Sequence, residues 1–246
     1  ARIVASIADH GRPVLALGVI GPSECGLVTG YDEGGDVLIG WSYFQGAPEF
    51  AANDPDIAFE PSGYYRRRHW YPHTPAIIVL GERGARPPAK EALSRALAWS
   101  IALARTPAIG EYHGGLAALD AWRAAMADDA QWDLPWEVRR ARYQIHNAMV
   151  GQIAEARWYA GVVLAHAAYY EEIRPPEHLL GAASCCAAGH RLMWDIWNVA
   201  GGIGDDDDKV RQGTTSEARV RIASLIAEMR AVDARAIAHL ERALAG

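Results

Sequence analysis

Four side chains in the first third of the chain could supply the nucleophile or the general base of a covalent mechanism, and two of them, Glu24 and Cys25, are adjacent. A cysteine thiolate attacks acyl carbonyls, and a carboxylate whose pKa is raised to ~6–7 by burial can act as the general base. His69 and His73 flank an aromatic run and could bring an imidazole to the same site. Acyl transfer through a covalent intermediate needs a nucleophile beside such a base, so these four residues are the candidate catalytic groups.

The cysteines also have structural interpretations. A neighbouring carboxylate raises the pKa of a thiol, so we expect Cys25 to be a small buried hydrophobic residue rather than a nucleophile. Cys185 and Cys186 are adjacent in a helical pattern rich in Ala and Gly, which favours close helix packing over redox chemistry. Three cysteines give no disulfide framework, which predicts a reduced, cytoplasmic protein.

A second group of polar and aromatic side chains could bind a ligand. Tyr112 and His113 precede a Gly-Gly pair at a predicted helix start, where free N–H groups can hold an anion, with a tight entry turn as the structural alternative. On the longest predicted helix Asn147, Arg157 and Trp158 lie on or beside one mostly apolar face, which indicates a hydrogen-bonded network or a pocket lining. The candidate ligand-binding residues are Trp41, Tyr43, Tyr112, His113, Asn147, Arg157 and Trp158.

Composition and motif searches exclude several classes of function. A net charge of −6 argues against a general nucleic-acid binder, and the run of three arginines at 66–68 is typical of a solvated strand. No apolar run approaches the ~18 residues that cross a bilayer. Phosphate-binding, dinucleotide-binding, nucleophile-elbow and zinc motifs do not occur, so we predict no cofactor and no metal site.

The apolar pattern changes character near residue 84. Before it, β-forming runs predict strands at 13–19, 25–31, 37–44, 64–71 and 76–82, preceded by a short helix at 2–9. The run at 76–82 is expected to be buried on both faces, and residues 45–63 form a loop with at most a helical turn. After the boundary, helical periodicity covers 89–105, 114–130, 136–172, 175–199 and 215–244. The predicted fold is α+β, with a small, mostly antiparallel sheet domain at 1–84 and an antiparallel helical bundle at 85–246.

Residues 11–44 carry a resemblance to a known family. Arg12, Pro13 and Val14 begin a predicted strand, and after a break comes GLVTGYDEGGDVLI. These two segments resemble the second half of the papain-like cysteine peptidase fold. The likeness is greatest to the N-terminal domain of butirosin-type peptide acyltransferases, and it extends over about residues 1–85, with the helical half similar only in character.

The resemblance implies a site in which a histidine activates a cysteine and an aspartate orients the histidine. It places the histidine six residues before Gly30, where this chain has Glu24, and the aspartate near Gly40 and Trp41, where this chain has no carboxylate or amide. It also implies a nucleophile upstream of Ala1, and a bacterial cytoplasmic protein.

Three hypotheses about function follow. The first, which we favour, is a non-catalytic or divergent papain-like protein that binds a small molecule or peptide in the cleft between sheet and helices. The second is a cysteine-dependent acyl or amide transferase whose base is Glu24, His69 or His73. The third is a structural or interaction protein whose helical bundle forms a homodimer. The chain has nine tryptophans, a residue type that is enriched in protein interfaces.

Overall fold

The computed structural model describes residues 1–22, 24–170 and 176–245. The chain divides into two compact units, Ala1–Ala85 and Arg86–Gly246. The first contains a six-stranded antiparallel sheet and the second is built from helices, so the α+β class and the helical part are confirmed. No helix in the described part of the chain is long and apolar enough to cross a membrane.

The sheet of the first unit has the strand order β4-β5-β3-β2-β1-β6, and every neighbouring pair runs antiparallel. A helix, α1 (Arg2–His10), precedes the sheet and is capped by Gly11. The φ of Gly11 is 61°, which glycine adopts without strain because it has no Cβ. The strands are β1 (Val14–Leu17), β2 (Cys25–Asp32), β3 (Val37–Trp41), β4 (Ile57–Phe59), β5 (Tyr65–Arg67) and β6 (Ala76–Val79).

One face of this sheet packs against α1 and forms the core of the unit. Val14, Val28, Leu38 and Tyr65 are completely buried there, with Ile3 of α1 beside them. The register places a second, more exposed apolar row across four strands on the other face: Ile78, Leu15, Leu27 and Trp41.

The prediction that residues 76–82 are buried on both faces was wrong. They contain β6, which is an edge strand, and Ile78 and Val79 are 47% and 41% exposed. Nothing in an apolar run distinguishes an edge strand from a central one, because its position depends on which strands pair.

The predicted loop at 45–63 contains a helical turn, which its sequence allowed, and a short strand, which its pattern did not indicate. Ser42 caps a 3₁₀ turn (Tyr43–Gly46), which ends β3 earlier than predicted. A single-turn helix, α2 (Pro48–Ala51), then leads to β4, which pairs with β5. Strands this short have too few residues for an alternating pattern to be recognised.

The helical unit is arranged around α6 and α8. Helix α5 packs against α6, α6 packs against α8, and α8 contacts both α3 and α4. The main core includes Met193, Ile222, Ile226 and Met229, all but inaccessible to solvent. The helices are α3 (Ala89–Arg105), α4 (Gly115–Ala127), α5 (Trp136–Tyr170), α6 (Pro176–Val199), α7 (Asp207–Gly213) and α8 (Ser216–Ala245).

Two elements of this unit were not predicted. A two-stranded ribbon of β7 (Ala108–Ile109) and β8 (Tyr112–His113) precedes α4, and α7 follows the acidic run at 205–208. The Asp206 side chain accepts a hydrogen bond from the Lys209 backbone, so the acidic run is a helix cap. The predicted helix end at 172 and helix start at 175 lie outside the described residues.

Candidate functional site

Glu24 and Cys25 stand at the beginning of β2, at one end of the sheet. Cys25 pairs with Leu17 of β1, and both the glutamate and the cysteine are exposed. The expectation of a buried Cys25 was therefore wrong. The burial that a glutamate base would require is also missing at Glu24.

The backbone of His73 reaches the same end of the sheet. The Gly18 N–H donates to the Glu24 carbonyl oxygen at 3.0 Å, and a Cβ on Gly18 would lie only 2.4 Å from the His73 carbonyl oxygen. Glycine at this position therefore lets the segments holding Glu24 and His73 converge. The His73 side chain is exposed in a 3₁₀ turn (Tyr71–His73), so the convergence provides no enclosed catalytic site.

His69 has a different partner. Its Nδ1 lies 2.9 Å from Oδ1 of Asp56, and its backbone φ is 44°, which is unusual for a residue other than glycine. This is a histidine held by a carboxylate, but its side chain is mostly exposed. The pair fixes the chain after β5.

The three arginines before His69 are used in ion pairs. Each guanidinium contacts at least one carboxylate: Arg66 with Asp32 and Glu60, Arg67 with Asp54, and Arg68 with Glu33. Arg67 is buried, so the interpretation of this run as a fully solvated strand was wrong at that position. These pairs tie β5 to the turn after β2 and to the segment before β4.

The aromatic residues between the two histidines line a groove of about 470 Å³ in the first unit. Trp70 donates its Nε1–H to the Gly35 carbonyl oxygen at 3.0 Å, and the Tyr71 hydroxyl donates to Asp36 at 2.5 Å. That hydrogen bond raises the pKa of Tyr71. The side chains at the groove wall are thus anchored to the hairpin turn between β2 and β3.

Trp41 and Tyr43 lie at and just after the end of β3. Trp41 is 49% exposed and belongs to the apolar row on the open face of the sheet. Tyr43 is 76% exposed and packs edge-on against Phe44, with ring centroids 5.3 Å apart. Their assignment to ligand binding stays a prediction.

Tyr112 and His113 form β8 and are both exposed. The glycines that follow them have a packing explanation, because a Cβ on Gly114 would lie 2.6 Å from the Thr106 carbonyl oxygen and one on Gly115 would lie 2.0 Å from that of Ala104. This geometry favours the tight entry turn over an anion site.

Helix α5 carries the polar side chains that the sequence placed on a mostly apolar face. Asn147 accepts a hydrogen bond from Nε1 of Trp197 on α6 at 2.7 Å. Arg157 donates from Nε and Nη2 to the two carboxylate oxygens of Asp233 on α8, at 2.9 and 2.6 Å. Asn147 and Arg157 therefore belong to a hydrogen-bonded network between helices.

His146, one turn away from Val150 on α5, is buried in the main core. It accepts a hydrogen bond at Nδ1 from Nε1 of Trp122 at 3.1 Å. Burial lowers the pKa of His146 to about 4, so the imidazole is neutral at pH 7. Its partner Trp122 lies 24 residues earlier in the chain, and no local sequence pattern identified this contact.

A groove of about 560 Å³ runs between α5 and α6, next to this network. Its walls consist mainly of small and apolar side chains, and Trp158 contributes an indole ring that is half exposed. Two of the candidate ligand-binding residues thus lie in one groove. The lining residues are Arg157, Trp158, Gly161, Val162, Ala165, Leu180, Ala183, Ser184 and Ala187.

Aromatic contacts extend from the groove along α6. The Trp158 ring lies 5.3 Å from that of His190, which in turn contacts Trp194. His190 donates from Nδ1 to the Ala154 carbonyl oxygen at 3.0 Å and accepts at Nε2 from Trp194 at 3.0 Å. Both ring nitrogens of His190 are thus occupied by partners within the helical unit.

The fold and these grooves define an α+β protein with an apolar groove in its helical unit. Comparison with known protein families, with curated proteins and with solved structures finds no match. Among the described residues, no three His, Cys, Asp or Glu side chains are grouped so as to hold a metal ion. Any functional assignment must therefore come from the geometry of the described residues.

Proposed function

We propose that this protein is a non-catalytic binding protein and that the groove between α5 and α6 holds a small apolar molecule or an apolar peptide segment. The observation that carries the proposal is the size and lining of the groove. Its volume of about 560 Å³ lies within the ~300–1,000 Å³ of small-molecule sites, which are mostly apolar with a few polar groups.

The charges at the groove indicate a neutral ligand. Among the described residues of the lining, Arg157 is the charged one, and the bidentate contact with Asp233 offsets its charge. Its side chain is 29% exposed, so the guanidinium can still donate to a ligand carbonyl or hydroxyl group. Ser184 supplies a second hydrogen-bonding group on the opposite wall.

A neutral hydrophobic fluorophore, N-phenyl-1-naphthylamine, tests this proposal. Its fluorescence should rise on binding to the full chain, and Ala165→Leu should weaken binding about tenfold because it fills the groove. Ala156→Leu is the matched control, since Ala156 is exposed on the same helix and does not line the groove. Equal affinity of the two variants, or no binding to the unmodified chain, would count against the groove.

Cysteine-dependent acyl or amide transfer is the alternative, and its candidate groups belong to the first unit. The side chains of Glu24, Cys25 and His73 are exposed and form no enclosed site, which does not favour it.

A further inference from the structure

The outer face of α5 has a regular apolar pattern that extends well beyond the groove, with which it shares Val162. Ten residues at alternating steps of three and four are all exposed, and the spacing averages the 3.5 residues of a heptad repeat. Most of them are apolar or aromatic. In order they are Val138, Ala141, Ile145, Ala148, Gln152, Glu155, Tyr159, Val162, His166 and Tyr169. We call these ten residues the α5 seam.

The seam lies opposite the side of α5 that packs in the bundle. Tyr143, Val150, Ala154 and Leu164 are buried against the rest of the helical unit, and none of them belongs to the seam. A helix that is apolar on both sides is normally covered on both sides. Ile145, Tyr159 and Tyr169 are instead 63%, 60% and 76% exposed.

We infer that the α5 seam pairs antiparallel with the α5 seam of a second copy of this chain. This inference does not rest on the proposed ligand groove, although Val162 belongs to both surfaces. A two-fold axis midway between Gln152 and Glu155 would place large side chains of one copy against small or complementary ones of the other. The pairs, first copy before second, are Val138 with Tyr169, Ala141 with His166, Ile145 with Val162, Ala148 with Tyr159, and Gln152 with Glu155.

The charges fit the antiparallel arrangement and not a parallel one. Glu155 is the single Asp, Glu, Lys or Arg in the seam, and in the antiparallel register it lies opposite the amide donor of Gln152. Parallel, in-register pairing would bring two Glu155 carboxylates together and stack Tyr159 on Tyr159. Both arrangements are two-fold symmetric, but only the antiparallel register avoids this contact between like charges.

The area of the seam is sufficient for a weak dimer. From Val138 to Tyr169 the helix rises about 47 Å, and a strip about 12 Å wide covers roughly 560 Å² on each copy. The total of about 1,100 Å² exceeds the ~1,000 Å² expected of a specific interface and lies at the low end of the range. We therefore expect dissociation in the micromolar range.

Sedimentation velocity of the full chain from about 1 to 200 µM tests the association. A dimer should appear as concentration rises, and Tyr159→Glu should weaken it at least tenfold by placing carboxylates in an apolar layer. Tyr112→Glu is the matched control, because Tyr112 is a similarly exposed tyrosine outside α5. A monomer throughout the range, or equal loss in both variants, would overturn the inference. Unchanged circular dichroism at 222 nm shows that each variant is folded.

Cysteine cross-linking tests the register separately. In a Cys25→Ser background, which removes the exposed native thiol, Ile145→Cys and Val162→Cys are purified individually. Antiparallel pairing predicts a disulfide-linked dimer only when the two variants are mixed under mild oxidation, since each site lies opposite the other. Self-linkage of Ile145→Cys alone would overturn the proposed register, and so would the absence of linkage in the mixture.

Discussion

The ion pair between Arg157 and Asp233 connects the groove wall to α8, and removing the carboxylate should destabilise the helical unit. Asp233 is 8% exposed, while the Arg157 side chain is 29% exposed. Asp233→Ala removes two charge-assisted hydrogen bonds and leaves a guanidinium without its counterion. Breaking a buried pair costs about 3–5 kcal/mol, and because Arg157 retains some contact with water we expect the lower end, about 3 kcal/mol.

Two comparisons separate this cost from simple loss of packing. Asp120→Ala breaks the ion pair with Arg230, which also bridges α8 to another helix, but both side chains there are about 40% exposed. That loss should be about 0.5 kcal/mol. The double variant Arg157→Met, Asp233→Leu removes both charges and supplies apolar volume, and it should recover most of the stability.

Urea unfolding at pH 7, followed by circular dichroism at 222 nm, measures these free energies of unfolding. The midpoint should move while the slope with urea concentration stays constant. If Asp233→Ala cost no more than Asp120→Ala, the pair would not contribute as a buried interaction. If the double variant lost as much stability as Asp233→Ala, the penalty would come from packing and not from the unpaired charge.

Two further predictions concern the cores of the two units. The pKa of His146 is about 4 in the folded protein and returns to its ordinary value of ~6.5 on unfolding, so the unfolded chain binds the proton more readily between these two pH values. The free energy of unfolding should therefore fall on the order of 3 kcal/mol as the pH drops from ~6.5 to ~4. Urea titrations at several pH values should show a flatter pH profile for His146→Phe than for the unmodified chain. In the sheet, Gly40→Ala would put a Cβ 2.0 Å from the Leu27 carbonyl oxygen and should cost about 2 kcal/mol or more in thermal unfolding. Gly30→Ala, where the nearest atom is 3.4 Å away, should cost far less.

Periodicity predicted the long helices well because each has an apolar stripe determined by its own sequence. Residues 89–105 were predicted and α3 spans Ala89–Arg105. Short elements were missed because their sequences are too brief to show a period. Helix α7 depends on the cap supplied by Asp206, and β4 depends on pairing with β5. The edge position of β6 likewise follows from topology, which no local pattern encodes.

Sequence reasoning selected members of the site but not their partners. Arg157 was identified as a polar residue beside an apolar face, whereas Asp233, which determines its geometry, is 76 residues away. Trp158 was chosen as an aromatic residue on that mostly apolar face, and its ring contact with His190 depends on the packing of α5 against α6. For Cys25 the local rule was wrong, because a strand end on the sheet leaves the side chain exposed.

The composition of α5 distinguishes the two proposals made for its surface. If the ligand groove alone were used, Ile145 and Tyr159, which do not line it, could be polar at no cost to binding. If the α5 seam alone were used, Gly161 could carry a methyl group, since a Cβ there would meet Ala183 and Cys186 at 3.5 Å, an ordinary contact. Glycine instead leaves space in the groove wall at a cost to helix propensity of about 1 kcal/mol. Apart from Val162, which belongs to both, the groove and the seam explain different residues, and Ala165→Leu and Tyr159→Glu test them separately.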